Sequence, residues 1–275
     1  MRTKIIVEIA SCHNGDIRMA KALIRAASDA GADIVKFQSW KASDVKNSDP
    51  DKARYEELEF KDEWHKEVID YCHELKVEFL TTIYDRKRIP FLKSLGLNSI
   101  KVASYNLNNY ELLKELKKSF KKIYLSMGGA FPEEIKKAIR ILKGHDVTLL
   151  HCILAYPTSL DQVNLSKIEW LKKLGFKVGW SDHTIGVEAS KVAIAMGVDV
   201  VERHFTLSRY LPQTKHRNAL KGNLVTTHEI AIEPHELKIV CDYARLVEKI
   251  RGDGGIQPLP IEIGSKKKYE GRLGN

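Results

Sequence analysis

The stretch KKIYLSM at 121–127, a helical pattern across 132–143 and DVTLLHC at 146–152 together read as one strand–helix–strand unit. Both strands are almost continuously apolar, the pattern of parallel strands covered on two faces. Gly144 falls where the intervening helix must stop, as a left-handed C-terminal cap does. The same unit repeats outward in both directions. Strand patterns occur at 4–10, 32–39, 77–83, 98–104, 176–181 and 198–205. Helical patterns lie near 16–30, 62–75, 86–95, 109–118, 166–174, 187–196 and 235–250, and Gly31, Gly96, Gly175 and Gly197 close four of them. Eight such units in about 250 residues predict an α/β fold of the closed (β/α)₈ TIM-barrel type, as one domain over 1–275. An open doubly wound sheet is the alternative. It usually has fewer strands, and SCHNGD after the first strand has a single glycine, so no dinucleotide fingerprint is present.

Composition narrows the class. With 43% apolar, 8% aromatic and 29% charged residues, disordered, collagen-like and disulfide-scaffold chains are excluded. No apolar run approaches the roughly 18 residues of a membrane span. Glu8 interrupts the short apolar N-terminal run, which argues against a signal peptide. Cys12, Cys72, Cys152 and Cys241 are widely spaced and read as free thiols of a cytoplasmic protein. The net charge of +9 is concentrated in KELKKSFKK (114–122) and SKKKYEGR (265–272). Neither run carries interleaved aromatics, so both are expected to be solvated faces or tail, with no nucleic acid and no membrane as partner.

In a barrel, polar residues at C-terminal strand ends converge on one mouth. Here they are Glu8, followed by His13 and Asn14; Lys36 and Gln38; Thr81 and Thr82; Lys101 and Ser104; Ser126; His151, with Tyr156 beyond; Ser181, Asp182 and His183; and Glu202 and His204. Two lysines among Val and Ile, surrounded by hydroxyls, suit a phosphate or carboxylate; pairing with a core carboxylate such as Glu8 is the competing explanation. His183 and His204 end neighbouring strands and are candidate ligands of one divalent metal, with water and substrate filling the other positions. His151 and Cys152 are adjacent on a strand, so they face opposite ways and form no nucleophilic dyad. The long segments 42–61 and 206–234 are expected to form an active-site flap and part of the substrate pocket.

VEIASCHNGD (7–16), AGADIVKFQ (30–38), KVASYNLNNYELL (101–113), LSMGG (125–129), LLHCILAYPTSLDQVNL (149–165), WSDHTIG (180–186) and ERHFTLSRYLP (202–212) occur in this order. As a set they resemble the N-acetylneuraminate (sialic acid) synthase family, NeuB-like, over essentially the whole chain. The resemblance implies a TIM-barrel transferase of carbohydrate biosynthesis that joins phosphoenolpyruvate to an aldehyde sugar. Water and a divalent metal take part, Mn²⁺ foremost and Mg²⁺, Co²⁺ or Zn²⁺ otherwise, and phosphate leaves. It places Lys36, Thr82, Lys101, Ser104, Ser126 and Ser181 on phosphoenolpyruvate, and His183 and His204 on the metal. Glu8, Gln38 and Tyr156 fall near the acceptor. Glu8, Lys36, Lys101 and His183 are the candidate catalytic groups. The family pairs as a homodimer and adds an antifreeze-like C-terminal domain, which this sequence is expected to lack.

Three acceptor-side positions depart from the family pattern. Asn106 stands where a glutamate usually lines the site, Leu154 where a polar residue is common, and Lys215 where an aspartate grips acceptor hydroxyls. The segment 217–234 also differs. The expected acceptor is therefore something other than standard N-acetylmannosamine, and a cation at 215 favours a negatively charged one. Two other readings stay open: a metal-dependent barrel aldolase or isomerase, and a non-catalytic binding barrel with an amide in an acid's place.

Overall fold

The computed structural model describes residues 2–213, 216–217, 224–252 and 254–272. Eight parallel strands close into one barrel in sequence order: β1 (Lys4–Glu8), β2 (Ile34–Ser39), β3 (Glu78–Ile83), β4 (Ser99–Val102), β5 (Lys122–Ser126), β6 (Asp146–Cys152), β7 (Lys177–Asp182) and β8 (Val200–His204). The helices between them are α1 (Ile17–Ala30), α2 (Lys52–Leu58), α3 (Trp64–Glu74), α4 (Ile89–Ser94), α5 (Tyr110–Ser119), α6 (Pro132–Ile141), α7 (Lys167–Lys172) and α8 (Glu188–Ala195). After β8 come a short antiparallel pair, β9 (His216–Arg217) and β10 (Leu224–Val225), then α9 (Pro234–Arg251) and α10 (Pro260–Tyr269). Gly31, Gly96, Gly144, Gly175 and Gly197 all have positive φ. The helix ends read from the sequence are therefore real left-handed turns.

Two elements go beyond the expected set. The flap expected over 42–61 contains a helix, α2, whose last residue Leu58 is buried, as is Phe60 beyond it. The basic run 265–272 lies mostly in α10, which buries none of its residues. His65, in α3, and His228, in a 3₁₀ turn before α9, are fully buried. His65 bonds Ser39 Oγ at 2.7 Å, and His228 bonds Thr206 Oγ1 at 2.6 Å.

Most of the core lies between strands and helices, but a second apolar cluster sits inside the barrel: Ile6, Ile34, Leu80, Tyr124, Leu150 and Val200. Side chains on a strand alternate, so the residue two positions further on faces the same way. Those residues are Glu8, Lys36, Thr82, Ser126, Cys152 and Glu202, all buried. On the two remaining strands the same offset leads from Ser99 to Lys101 and from Gly179 to Ser181. Gly179 is required there: a Cβ would collide with the Leu150 and Val200 side chains. An apolar floor thus carries a polar set above it. Register aligns that set, pairing Glu8 with Lys36 and His204, Thr82 with Lys101, and Ser181 with both Cys152 and Glu202.

The outward-facing residues between them brace the same strands. Asp182 and Arg203 form a buried ion pair at 2.6 Å. Asp182 also accepts from the Ser190 hydroxyl at 2.5 Å and from the Thr184 N–H at 2.9 Å, while Arg203 Nη2 donates to the Thr184 and Gly186 carbonyls. Burial pushes the Asp182 carboxyl up, but Arg203, Ser190 and Thr184 outweigh it and hold it below its ordinary 3.8. A depressed carboxyl contributes stability that is complete above its ordinary value and lost as pH falls through the folded one. Asp182→Ala is expected to lower the unfolding free energy by about 3–5 kcal/mol at neutral pH, by stranding a buried guanidinium. In urea titrations the variant should also lose less stability than the parent below about pH 4.

Candidate active site

A cavity of about 540 Å³ opens at the C-terminal ends of the strands, the face where barrels carry out chemistry. All eight strands reach it, through Glu8, Lys36, Thr82, Lys101, Ser126, Cys152, Ser181 and Glu202. A further turn of lining adds Gln38, Ser104, Tyr156, His183 and His204. The residues that the resemblance placed on phosphoenolpyruvate, metal and acceptor therefore line one cavity, with two exceptions; of the other strand-end residues, His13, Asn14, Thr81, His151 and Asp182 do not line it. Lys215 lies outside the described residues. Asn106, expected to line the acceptor half, is not among the lining residues; it ends a 3₁₀ turn over Ser104–Asn106, and its amide donates to the Tyr84 carbonyl at 3.2 Å.

The two lysines are held differently. Lys36 Nζ contacts the Glu8 carboxylate directly and donates to Thr82 Oγ1 at 2.9 Å, with Glu202 at 3.9 Å. Lys101 Nζ donates to Ser126 Oγ at 2.6 Å and lies 4.0 Å from Glu202. Carboxylate pairing and hydroxyl neighbours, set against each other in the sequence reading, thus coexist. Burial pulls the Lys36 ammonium down to about 7, Glu202 opposing the fall and Lys101 adding to it. For Glu202, burial pushes upward, but Lys101, Lys36 and the Ser181 hydroxyl, donating at 2.8 Å, hold the carboxyl below its usual range. Glu8 accepts the Ala10 N–H at 2.8 Å, and Ala10 adopts φ 47° to deliver it. A left-handed alanine is strained, and that strain sits at the cavity wall.

The hydroxyls continue the cradle. Ser104 Oγ accepts the Gly128 N–H at 2.9 Å and lies 3.2 Å from Cys152 Sγ. Burial raises the Cys152 thiol above its usual range, with Ser104 opposing, so it lines the wall as a protonated group. His151 faces away as alternation requires, bonding the Val163 carbonyl at 2.9 Å and packing on Trp180. His13 also lies outside the cavity, packed among Phe37, Phe60 and Trp64.

The imidazoles of His183 and His204 share the opposite wall, ring centres 5.7 Å apart, with the Tyr156 ring 4.1 Å from His183. Burial lowers His183 to about 4, despite opposition from the Ile153 carbonyl, and holds His204 well below 6.5, helped by His183 and Lys36. Both are therefore neutral. His183 Nδ1 donates to the Ile153 carbonyl at 2.6 Å, which leaves the Nε2 lone pair as its ligand atom; His204 Nδ1 is buried without a hydrogen-bond partner. Among the described residues no three His, Cys, Asp or Glu side chains gather as a metal cage. The donor set fits a cation held by two imidazoles and completed by water and substrate.

Glu202, read from the sequence as a strand-end residue but given no role there, lies 3.9 Å from Lys36 Nζ and 4.0 Å from Lys101 Nζ; it stands two residues before His204 and so faces the same way. Several lining residues escaped the sequence-derived site. Trp40, Arg54, Tyr55, Tyr84 and Tyr105 form the outer wall. They come from connections whose shape no periodicity encodes. Leu154 does line the cavity, beside Gly128 and Gly129.

Removing Glu202 exposes what it does. Glu202→Gln leaves two buried ammonium groups facing one carboxylate, a change expected to cost about 3–5 kcal/mol at pH 7. Chemical denaturation of the variant checks this; an unchanged midpoint would mean that the lysines do not depend on it.

The comparisons with known proteins agree with this geometry. The NeuB family profile matches residues 23–255. The chain is 38% identical to an N,N'-diacetyllegionaminic acid synthase of Campylobacter jejuni, covering 92% of this chain and 78% of that protein. It is 30% identical to the N-acetylneuraminate-9-phosphate synthase of Homo sapiens, covering 96% and 75%. Among solved structures, the N-acetylneuraminic acid synthetase of Leptospira borgpetersenii, crystallised with citrate, superposes with a TM-score of 0.87 at 29% identity, covering 99% of this chain and 93% of that one. From its barrel, its clustered site and these matches together, the chain belongs to the NeuB family.

Proposed function

We propose that this barrel condenses phosphoenolpyruvate with an aldehyde sugar and releases inorganic phosphate. One observation carries the reading: two buried ammonium groups, Lys36 and Lys101, and the hydroxyls of Thr82, Ser104, Ser126 and Ser181 line one cavity with two neutral imidazoles. Lysine supplies charge and the hydroxyls supply directional donors, a combination suited to a phosphate and a carboxylate on one small molecule.

In the reaction a C–C bond forms between the phosphoenolpyruvate methylene carbon and the aldehyde carbon. Water adds to the phosphoenolpyruvate carbon that bears oxygen, the C–O bond to phosphate breaks, and the aldehyde oxygen gains a proton. Lys36 and Lys101 hold the leaving phosphate and the carboxylate, so the departing charge is met without solvent reorganisation. Glu8, fixed by the Ala10 N–H and by Lys36, stands beside the acceptor as the candidate group for moving a proton. Tyr156, Gln38 and the outer aromatic wall orient the sugar. A divalent cation held by His183 and His204 would supply Lewis acidity at the acceptor carbonyl.

The charges are consistent with this. The described lining carries Lys36, Lys101 and Arg54 against Glu8 and Glu202. Adding a divalent cation makes room for the multiple negative charge of phosphoenolpyruvate. In thermal or chemical unfolding, phosphoenolpyruvate with Mn²⁺ is expected to add about 2.7 kcal/mol at a hundredfold excess over Kd. Lys101→Met should abolish that gain while the ligand-free protein stays folded. Phosphate release measured across a panel of aldehydes is the activity test; no stabilisation by phosphoenolpyruvate, with or without Mn²⁺, would overturn the reading.

A further inference from the structure

We propose that the opposite, N-terminal end of the barrel holds a second ligand site, one that binds the phosphate group of a small molecule, free or esterified. It shares no residue with the condensing cavity and does not depend on the reaction proposed there.

The same alternation that builds the upper site builds this one. Two positions above the apolar cluster inside the barrel stand the polar residues of the condensing cavity. Two positions below it stand Lys4 under Ile6, Lys122 under Tyr124 and Thr148 under Leu150, and Lys177 takes the same place under Gly179. Register sets Thr148 between Tyr124 and Lys177. Lys4, Lys122, Tyr124, Thr148 and Lys177 all line one cavity of about 440 Å³, to which α9 contributes Val247 and Arg251. That volume falls within the range of small-molecule pockets. Tyr124 is 1% exposed and its ring belongs to the apolar cluster, yet its hydroxyl is buried without a hydrogen-bond partner. Arg2 Nη1, on the same wall, is likewise buried and unpartnered, its Nη2 being engaged by Asp33. Unpaired buried donors cost free energy, and a ligand oxygen placed between them restores the missing bonds.

The charge distribution says what that ligand is. The described lining carries Arg2, Lys4, Lys122, Lys177 and Arg251 against Asp199 and Glu248. Most carboxylates at this end are already engaged. Asp33 is held by Arg2 and by the Ile5 N–H at 2.8 Å, and Asp146 by Lys177 at 3.0 Å. Asp199 accepts the Val178 N–H at 2.8 Å, and Glu78 accepts the Ser99 hydroxyl at 3.0 Å. Among the described residues, Lys4, Lys122 and Arg251 form no ion pair. Lys122 instead lies over the Tyr124 ring, 4.3 Å from its centre. Burial pulls its ammonium below the ordinary 10.5; Asp146 and Glu78 oppose the fall, and Lys4 and Lys177 add to it. Unpaired ammonium groups supply charge, and the Tyr124 and Thr148 hydroxyls supply directional donors, the combination that grips a tetrahedral oxyanion. Barrels carry out chemistry at the other end, so the ligand here acts by binding alone.

The test is calorimetric titration of inorganic phosphate and of glycerol 3-phosphate, with ionic strength held constant by sodium chloride. Lys101→Met, which disables the upper cradle, is the background. One phosphate site per chain is expected to remain in it, and the tighter of the two ligands tells a free phosphate from an ester. Two lower-end variants are then added to that background. Tyr124→Phe with Lys4→Met keeps the aromatic ring in the apolar cluster, and Lys4→Met with Arg251→Met changes only exposed side chains. Each should weaken the remaining site at least tenfold. Placed in the parent protein instead, each should leave the stabilisation by phosphoenolpyruvate with Mn²⁺ unchanged. The inference is overturned if neither ligand binds the Lys101→Met protein, or if the lower-end variants bind as their background does. Loss of the phosphoenolpyruvate effect in those variants would also overturn it, by merging the two sites into one. The first two failures leave the condensing reaction standing, since that is read from phosphoenolpyruvate alone.

Discussion

Two lysine ammonium groups inside a barrel of Val, Ile and Leu set the terms for everything around them. An isolated buried charge is lost by deprotonation or repaid by a counter-charge. Here both outcomes are in view: burial pulls Lys36 down to about 7, while Glu8 and Glu202 supply the compensating charge. The counter-charges are delivered by strand register. Glu8 stands opposite Lys36, and Glu202 stands opposite Ser181, the hydroxyl that holds it. A slip of one residue in any of these strands would turn its polar side chain outward and bring its bracing residue into the lumen. The polar network therefore specifies register as firmly as the apolar floor does.

The alternation also explains how the site is supported. On β7 and the turn after it, Ser181 and His183 face the cavity while Asp182 faces the helices. On β8, Glu202 and His204 face in while Arg203 faces out. Chemistry and support are interleaved residue by residue, joined by the Asp182–Arg203 pair behind the two imidazoles. The Ile153 carbonyl, from the loop after β6, fixes the tautomer of His183, so a third element sets which nitrogen faces a ligand.

How much of this could be read in advance depends on which element carries the residue. The barrel, its helix ends and the gathering of lysines and hydroxyls in one cavity were legible because strand alternation and glycine caps are written locally. His151 and Cys152 divided between faces as a period of two requires. Glu202 was legible by the same rule as a strand-end residue facing the mouth, although its place between the two lysines depends on side-chain packing. At Asn106 the position was legible but not the 3₁₀ turn that aims its amide at the Tyr84 carbonyl. Arg54 and its aromatic neighbours were invisible. Their segment has no strong period, and its position depends on packing against Gly15 and the Glu59 contact, which no local pattern announces.

The two halves of the cavity consequently differ in how freely they can change. Each residue of the polar set is tied through register to a neighbouring strand, and six of the eight sit two positions above a packed apolar side chain. Substituting one strands a charge, opens a void or breaks a ladder, so the half that carries the two lysines is constrained by folding itself. The outer half hangs on connections that run over the surface, where a different side chain at Arg54, Tyr105 or Leu154 disturbs little of the barrel. Leu154 belongs to that half, presenting an apolar side chain to the cavity beside Gly128 and Gly129. A fold of this kind can keep its lysine-and-hydroxyl cradle and its imidazole pair while the outer wall is rebuilt. The character of that wall is therefore written in the connections and not in the strands.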